Sequence, residues 1–183
     1  MNNQDVSLKE KSIVFIGFMG AGKTTIGRLV AKKLYRDFID IDEEIENEFK
    51  MPVSQIFAEI GEKAFREREK TITTCRCQQK LQVISIGGGA YLQEEIKKVC
   101  LSSCIVIYLD ISWESLKKRL GIIIKSRPVL QGKSIEEIEE LFYKRKEGYF
   151  PYHSKVEIDN QSMDELADEI VKSLKLSWEL HEA

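Results

Sequence analysis

Several features that mark special classes of protein are missing from this sequence. Neither sign of charge is in large excess, because 28 Lys and Arg residues stand against 30 Asp and Glu residues in a chain of 183. The charges are spread along the chain and leave no basic stripe that would neutralise a nucleic-acid backbone. No apolar run approaches the ~18 residues that cross a bilayer. We therefore expect a small-molecule partner, and neither a nucleic acid nor a membrane.

Signals for export and for a second domain are also missing. The first residues lack the cationic and apolar blocks of a signal peptide, so we expect a cytoplasmic protein. Only three prolines interrupt the chain, and no internal repeat appears. The length and the 43% of hydrophobic residues are typical of one globular domain, which we predict over residues 1–183. We expect the protein to be a monomer.

Cysteine is scarce, and its spacing fits no common metal or redox motif. Cys75 and Cys77 lie two residues apart, and Cys100 and Cys104 lie four apart, so no C-x-x-C pair occurs. A reducing compartment disfavours disulfides, and we predict four free thiols. A composite zinc site built from all four cysteines is the alternative, which metal analysis of the purified protein would detect.

Five short apolar runs alternate with helical patterns along the chain. They are rich in Val and Ile, show little alternation with polar residues, and cover residues 13–16, 38–39, 83–86, 105–109 and 156–158. Such runs are typical of parallel strands buried on both faces. Two stripes of helical period, within residues 26–34 and 163–174, should pack on the sheet. The sequence predicts an α/β fold with a five-stranded parallel sheet flanked by helices.

Residues 121–133 look least like a packed element. Gly121, Pro128 and Gly132 all fall within this stretch, which separates two helical segments. Its length is one associated with loops that close over active sites. We therefore predict a lid loop here.

A glycine-rich motif follows the first predicted strand and precedes the first predicted helix. The residues Gly17-Phe18-Met19-Gly20-Ala21-Gly22-Lys23-Thr24 match the pattern G-x-x-x-x-G-K-[ST] of a P-loop. Glycines let the backbone curl so that consecutive N–H groups point at phosphate oxygens, at the positive end of the following helix dipole. We expect a P-loop kinase-type three-layer fold in which nucleotide phosphates are bound by Gly20, Ala21, Gly22, Lys23, Thr24 and Thr25.

Two side chains of the motif predict a nucleoside triphosphate with magnesium. Lys23 supplies a mobile positive charge for the β- and γ-phosphates. The Thr24 hydroxyl is suited to bind Mg²⁺ that bridges the same oxygens. A P-loop alone does not separate a kinase from a switch or a motor, so other polar residues must indicate what receives the phosphoryl group.

Two aspartates follow the second predicted strand. Alternation along the chain would put the carboxylates of Asp40 and Asp42 on one side, at the carboxyl edge of the sheet beside the P-loop. One carboxylate would then serve magnesium and the other a hydroxyl group. The alternative for Asp42 is helix capping, since it precedes the helical stretch of residues 43–46.

Glycines and arginines complete the candidate site. Gly87-Gly88-Gly89 follows another strand, and a plain turn would need only one or two glycines, so we favour close approach of a ligand over a structural turn. The guanidinium forks of Arg66, Arg127 and Arg145 suit carboxylates and phosphates. The alternative for each arginine taken singly is a solvated surface charge.

Taken in order, these motifs resemble those of the shikimate kinases, from about residue 13 to about residue 174. The resemblance implies transfer of the γ-phosphoryl group of ATP to the 3-hydroxyl of shikimate, in the pathway to chorismate and the aromatic amino acids. It also implies an acceptor-binding helical region at about residues 43–80. The motifs that carry it are the P-loop, residues 38–42, Gly61-Glu62 with Phe65-Arg66 and Glu69, Gly87-Gly88-Gly89, Arg127-Pro128, and Arg145 with Tyr149.

On the acceptor side, the resemblance implies that Arg66 and Arg145 hold the carboxylate of shikimate. Asp42 and the backbone of the glycine run Gly87, Gly88 and Gly89 would bind its ring substituents. Asp42 is also the candidate to accept the hydroxyl proton. In a loose transition state that proton leaves late, so orienting the hydroxyl is its main expected task.

On the nucleotide side, the resemblance implies that Asp40 acts on magnesium through a water, with Thr24 as the direct ligand. Lys23 and the lid residue Arg127 would balance charge on the transferring phosphoryl group, and Arg119 would lie against adenine. Lys23, Asp42 and Arg127 are therefore the expected catalytic residues. Phosphoryl transfer works mostly by positioning and charge stabilisation, so no covalent intermediate is required. Neither His153 nor His181 is assigned a task in catalysis.

Three features depart from the family pattern. The lid contains Ile122-Ile123-Ile124, an apolar triplet that would either pack down on closure or contact another chain. Pro151 should end or kink the helix that carries Arg145. The adenine-binding loop expected near residues 159–162 has no distinctive signature.

Two other functions remain open from the sequence. A kinase of the same fold could phosphorylate another small polyhydroxylated acid, such as gluconate, with the same carboxylates and arginines. A non-catalytic ATP-binding module is the alternative from a different class. An assay of ADP release with each acceptor separates these possibilities.

Overall fold

Five parallel strands form the centre of the computed structural model, which describes residues 7–159 and 161–182. The strands lie in the order β2-β3-β1-β4-β5, and each neighbouring pair is parallel. This arrangement confirms the predicted α/β fold. The bounds are β1 (Ser12–Ile16), β2 (Asp37–Asp40), β3 (Gln82–Ser85), β4 (Cys104–Asp110) and β5 (Ser154–Glu157).

Helices cover both faces of the sheet. Their bounds are α1 (Lys23–Leu34), α2 (Ile41–Phe49), α3 (Val53–Glu59), α4 (Glu62–Cys77), α5 (Glu94–Ser103), α6 (Trp113–Lys117), α7 (Leu120–Ser126), α8 (Ile135–Gly148) and α9 (Met163–Glu182). None of the helices within the described ranges combines the length and apolar character needed to cross a membrane.

The alternating side chains of β1 divide the core into two layers. Ile13 and Phe15 pack with α1, α8 and α9, whereas Val14 and Ile16 pack with α2, α4 and α5. All four are buried, as expected for a central parallel strand with helices on both sides. Both predicted helical stripes lie in the first layer. The carboxyl ends of the strands therefore meet at one edge, where the loops are free to form a site.

The predicted lid loop is only partly a loop. Helix α7 occupies its first half, and a short 3-10 turn covers Pro128–Leu130. The helix forms because Ile123 is buried, with its side chain against Gly20 of the P-loop and beside Leu116. Of the apolar triplet, Ile123 packs down in this way, whereas Ile122 is 81% exposed.

The end of α8 accounts for the position of Arg145. The helix begins with a capping box between Ser134 and Glu137 and ends at Gly148, before Pro151. Pro151 thus lies outside the helix, and Arg145 keeps its place in the last turn.

The four cysteines are free, and the Sγ atoms of Cys77 and Cys100 lie 3.6 Å apart in the core.

Gly27 in α1 supports a prediction about how the first helix is held on the sheet. A Cβ at this position would lie 2.5 Å from Cε2 of Phe38, which is two residues before Asp40. Although alanine favours helix by about 1 kcal/mol over glycine, the clash outweighs this gain. We expect Gly27→Ala to lower the free energy of unfolding by about 1–3 kcal/mol in urea denaturation.

Gly121→Ala is the matched control. Gly121 also lies in a helix, but a Cβ added there would meet no described atom within 4 Å beyond its own helix and chain neighbours. This substitution should leave stability unchanged or raise it slightly. Equal effects of the two substitutions would contradict close packing between Gly27 and Phe38.

Candidate active site

The P-loop has the backbone conformation that its glycines predict. Gly20 and Gly22 have φ values of +85° and +86°, a region that side chains other than glycine rarely adopt. Gly17 lacks room as well, since a Cβ there would lie 2.6 Å from the carbonyl oxygen of Leu109. Helix α1, which follows, has neither a side-chain cap nor an acidic residue in its first turn. Its positive end is therefore available to an anion.

Lys23 is buried beside this loop without a carboxylate partner among the described residues. Its Nζ donates to the carbonyl oxygens of Gly17 and Phe18, at 2.9 and 3.0 Å. Burial, followed by the nearby positive charge of Arg127, lowers the pKa of Lys23 to about 8. Negative charge brought to the loop would reverse this shift and favour the ammonium form.

Thr24 and Asp40 form the side of the site that could hold a cation. The Thr24 hydroxyl donates to Oδ2 of Asp40 at 2.7 Å, and burial raises the pKa of this carboxyl. Oδ1 of Asp40 accepts from the backbone N–H of Asp42, at 3.1 Å, and so caps α2. The capping role considered for Asp42 thus belongs to Asp40. A hydroxyl beside a carboxylate is a donor set suited to Mg²⁺.

The two aspartates face one cavity, although not for the predicted reason. Strand β2 ends at Asp40 and α2 begins at Ile41, so strand alternation does not extend to Asp42. The first helical turn instead brings Asp42 to the same cavity. This cavity has a volume of about 340 Å³ and is lined by Met19, Gly20, Gly22, Lys23, Thr24, Thr25, Asp40, Asp42, Ser85, Ile86, Gly87, Gly88, Arg119, Arg127 and Met163.

Two predicted nucleotide-binding residues take positions that the sequence did not specify. Ala21 is fully buried, and its backbone N–H donates to the carbonyl oxygen of Phe18 at 3.1 Å, so this N–H is already engaged. Nη1 of Arg119 donates to the carbonyl oxygen of Gly20 at 3.0 Å. The guanidinium of Arg119 is therefore held against the P-loop, on the wall of the 340 Å³ cavity.

A second cavity, of about 40 Å³, lies next to the first. Met19, Asp42, Gly87, Gly88 and Arg127 line both, and the second is completed by Phe65, Arg66, Glu69, Gly89, Pro128, Val129 and Arg145. An ion pair of 2.8 Å joins Nη1 of Arg127 to Oδ2 of Asp42 where the two cavities meet. The lid arginine and the acceptor-side aspartate, predicted from separate motifs, are thus in contact.

Two arginines converge on Gly89 in the second cavity. A Cβ at Gly89 would lie 3.3 Å from Nη2 of Arg66 and 3.4 Å from Nη2 of Arg145, in tight contact with both guanidinium groups. Arg66 is held by Glu69 at 2.8 Å, one helical turn along α4. Arg145 is 8% exposed and forms neither a hydrogen bond nor an ion pair with any described residue. Burial, followed by the charge of Arg66, lowers its pKa.

A buried guanidinium without a counter-ion is costly, and it indicates that an anion belongs there. The surface-charge alternative is therefore wrong for Arg145, and Arg66 is only 23% exposed at its side chain. The turn formed by Gly87-Gly88-Gly89 lines the cavities, as expected for a ligand-facing segment.

Three contributors to the site had no role predicted from the sequence, although Glu69 and Tyr149 belong to the motifs that carry the family resemblance. Glu69 is fully buried, fixes Arg66 and also accepts from Gln93 at 2.8 Å. Its spacing of three from Arg66 on a helix was the signal that could have revealed this role. Met163 lies near Gly22 on the wall of the larger cavity, and Tyr149 contacts the glycine turn. The expected adenine loop includes residue 160, which lies outside the described residues.

Comparison with known proteins identifies close relatives of this chain. A family model for shikimate kinase matches residues 19–175. The shikimate kinase of Oceanobacillus iheyensis is 57% identical over 175 residues, or 96% of each chain. The shikimate kinase of Bacillus subtilis is 51% identical over 178 residues, which cover 97% of this chain and 96% of that protein.

Solved structures agree with these relatives. The structure of shikimate kinase from Acinetobacter baumannii in complex with shikimate superimposes with a TM-score of 0.86 and 32% identity, covering 93% of this chain and 96% of that chain. A gluconokinase from Sinorhizobium meliloti has a TM-score of 0.61 at 17% identity, covering 94% and 96%. At 17% identity, the similarity to the gluconokinase shows only that the two proteins share a fold.

The lowered pKa of Lys23 generates a testable pH dependence. Below about pH 8 the free protein already carries the ammonium, so affinity for MgATP should be nearly independent of this group. Above that pH, binding must take up a proton, because polyphosphate favours charged Lys23. We expect the affinity to fall by up to about tenfold per pH unit, as measured by isothermal titration calorimetry.

Proton uptake provides the internal check. Titrations at pH 9 in two buffers of different ionisation enthalpy should report uptake of about one proton per nucleotide bound, and the Lys23 contribution should vanish at pH 7. Affinity that stays constant from pH 7.5 to 9.5 without proton uptake would show that Lys23 does not titrate in this range.

Proposed function

This chain belongs to the shikimate kinase family, which makes it an ATP-dependent phosphotransferase, and we propose that it converts shikimate and ATP to shikimate 3-phosphate and ADP. One observation carries the choice of acceptor. The buried guanidinium of Arg145, without an ion-pair partner among the described residues, faces the same glycine as Arg66 in a cavity that adjoins the P-loop cavity. An acceptor with a carboxylate would supply the missing negative charge within reach of a bound polyphosphate.

The proposed nucleotide site uses the larger cavity. The backbone at Gly20 and Gly22, with Lys23, would bind the phosphates at the positive end of α1. Thr24 and Asp40 would hold Mg²⁺, directly and through a water respectively, and their 2.7 Å contact brings together two oxygen donors that fit this ion. The bound ion would neutralise charge on the phosphate oxygens.

The nucleobase would lie at the outer end of this cavity. Arg119 and Met163 both line it, and Met163 packs near Gly22, where its Cε would be 3.1 Å from an added Cβ. A guanidinium plane and a polarisable thioether are both suited to contact an aromatic ring. We therefore assign the adenine contacts to Arg119 and Met163.

The proposed acceptor site is the smaller cavity. Arg66 and Arg145 would hold the carboxylate of shikimate, and Asp42 with the backbone of the glycine turn would bind its hydroxyl groups. The ion pair between Arg127 and Asp42 lies where the smaller cavity meets the larger one, and we infer that its separation would give the ring of the acceptor more room. Separation would free both side chains for their proposed tasks.

In the proposed reaction, the chain acts by position and charge. Asp42 orients the 3-hydroxyl and receives its proton as the oxygen attacks the γ-phosphorus. The bond between that phosphorus and the β,γ-bridging oxygen breaks, and ADP leaves. Lys23 and Arg127 balance the charge on the phosphoryl group between donor and acceptor, which requires no covalent intermediate on the protein.

The remaining expectations are predictions of the sequence alone. We infer a cytoplasmic monomer that binds neither nucleic acid nor a membrane, in keeping with a small-molecule kinase. Its single domain would comprise the nucleotide site, the acceptor-binding region of residues 43–80 and the lid of residues 121–133.

A coupled assay of ADP release tests the proposed reaction. With magnesium and ATP present, we expect turnover with shikimate and little with gluconate or without an acceptor. Turnover with gluconate at a comparable kcat/KM would favour the sugar-acid alternative. Nucleotide binding without turnover on either acid would favour a non-catalytic module.

Arg66 and Arg68 offer a matched pair of substitutions on α4. Arg66 faces Gly89, whereas Arg68 pairs with Glu48 on the exposed side of the helix, at 2.5 Å. We expect Arg66→Ala to lose ~1.5–3 kcal/mol of acceptor binding, which is a rise of about 10- to 150-fold in KM for shikimate. KM for ATP should change little.

Arg68→Ala should leave both KM values near those of the wild type, since a solvent-exposed ion pair contributes little. Circular dichroism would verify that both variants are folded. If Arg66→Ala keeps the wild-type KM for shikimate, the assignment of the acceptor carboxylate to this arginine is wrong.

A further inference from the structure

We propose that Tyr149 is a positioning residue for the acceptor: its hydroxyl holds the carbonyl of Gly88, and this aims the N–H of Gly89 at the acceptor carboxylate. The inference rests on the proposed function and adds a residue to it. Two arginines alone would neutralise a carboxylate from one side. A backbone N–H fixed beside them would add a directed hydrogen bond and so define the orientation of the ring.

The contact between Tyr149 and the glycine turn is short and buried. The Tyr149 hydroxyl donates to the carbonyl oxygen of Gly88 at 2.6 Å, and the side chain is 1% exposed. Its ring packs against that of Tyr108 at an interplanar angle of 32°, with ring centroids 5.3 Å apart. Burial raises the pKa of Tyr149, so the phenol stays protonated and remains a donor. Packing thus fixes the ring, and the hydroxyl is left to hold the carbonyl of Gly88.

Peptide geometry passes this constraint to the next residue. The peptide bond between Gly88 and Gly89 is trans, because the cis bond recorded in the described chain is Phe150–Pro151. In a trans peptide the C=O and the following N–H point in opposite directions. Holding the Gly88 oxygen toward Tyr149 therefore directs the Gly89 N–H away from it. Two glycines without side chains would otherwise let this peptide rotate.

The Gly89 N–H is available for a ligand. Neither it nor the N–H of Gly88 donates to any described residue, whereas the next N–H, of Ala90, is engaged with the carbonyl oxygen of Gly87 at 3.0 Å. A Cβ added to Gly89 would contact Arg66 and Arg145, the two guanidinium groups of the smaller cavity, so this residue lies beside both. An acceptor carboxylate that meets both arginines would thus lie beside this N–H.

The C-terminal end of α8 carries both Arg145, which supplies positive charge, and Tyr149, which holds the glycine turn. Tyr149 follows Arg145 by four residues, so the two side chains lie on the same side of the last turn of α8. The backbone around Tyr149 is itself held, because Nζ of Lys97 donates to the carbonyl oxygens of Gly148 and Phe150 at 2.9 and 3.2 Å. Removing the hydroxyl should leave this backbone in position.

Tyr149→Phe and Tyr91→Phe form the matched test. Tyr91 is also buried, and its hydroxyl donates to a backbone carbonyl, that of Pro151, at 2.5 Å. We expect Tyr149→Phe to raise KM for shikimate by about three- to tenfold, with kcat and KM for ATP within about twofold. Both substitutions remove one buried hydrogen bond, so they should lower the melting temperature by similar amounts. Tyr91→Phe should nevertheless leave KM for shikimate unchanged.

An acceptor without the negative charge distinguishes misalignment of the Gly89 N–H from a general loosening of the acceptor site. With the methyl ester of shikimate, whose neutral oxygens are weaker acceptors than a carboxylate, the difference in KM between wild type and Tyr149→Phe should be much smaller. An equal difference with acid and ester, or an equal rise of KM in Tyr91→Phe, would overturn the proposal. Absence of wild-type turnover with shikimate would instead overturn the proposed function.

A measurement on the wild-type protein covers the case in which Tyr149→Phe does not fold. In an NMR titration without ATP, the amide proton of Gly89 should shift strongly downfield on binding shikimate and much less on binding its methyl ester. An amide resonance of Gly89 that responds equally to acid and ester would show that its N–H does not meet the carboxylate, and the proposal would be wrong.

Discussion

The rest of this structure depends on one constraint. Positively charged side chains are buried at the carboxyl edge of the sheet without matching negative charge. Lys23 and Arg145 are both buried, and neither forms an ion pair with a described residue. Removing cations from water costs free energy, and burial accordingly lowers the pKa of each. The fold around them must be rigid enough to keep these groups in place. Bound polyphosphate and carboxylate would supply the anions that offset this cost.

Close contact between two glycine-containing turns provides that rigidity. Gly17 of the P-loop lies against the carbonyl of Leu109, and Gly88 lies against the P-loop, where a Cβ would be 3.0 Å from the backbone nitrogen of Met19. The two turns follow neighbouring parallel strands, β1 and β3, which brings them to one edge. Because the glycines have no side chains, the two turns approach closely, and the donor and acceptor cavities share a wall formed by Met19, Asp42, Gly87, Gly88 and Arg127. This closeness is what direct phosphoryl transfer between the two cavities requires.

The sequence predicted the features that depend on local patterns. Apolar runs indicated the parallel sheet, and the P-loop is a contiguous motif whose backbone follows from its glycines. Features that depend on contacts across the chain were not predictable. That Asp40 rather than Asp42 caps α2 depends on where β2 ends, and the helix around Ile123 forms through burial against Gly20. Glu69 lies between these cases, because helical spacing alone could have linked it to Arg66.

The ion pair between Arg127 and Asp42 connects the two halves of the proposed reaction. Each residue lines both cavities, and each neutralises the other while they are paired. A polyphosphate that attracts Arg127 leaves Asp42 with an unpaired carboxylate facing the acceptor cavity. A hydroxyl that engages Asp42 leaves Arg127 free to turn toward phosphate. Because such coupling free energies are reciprocal, each substrate would favour the binding of the other without any rearrangement of the sheet. The ion pair that lies between the two cavities is thus also the contact whose separation would free both groups for the proposed reaction.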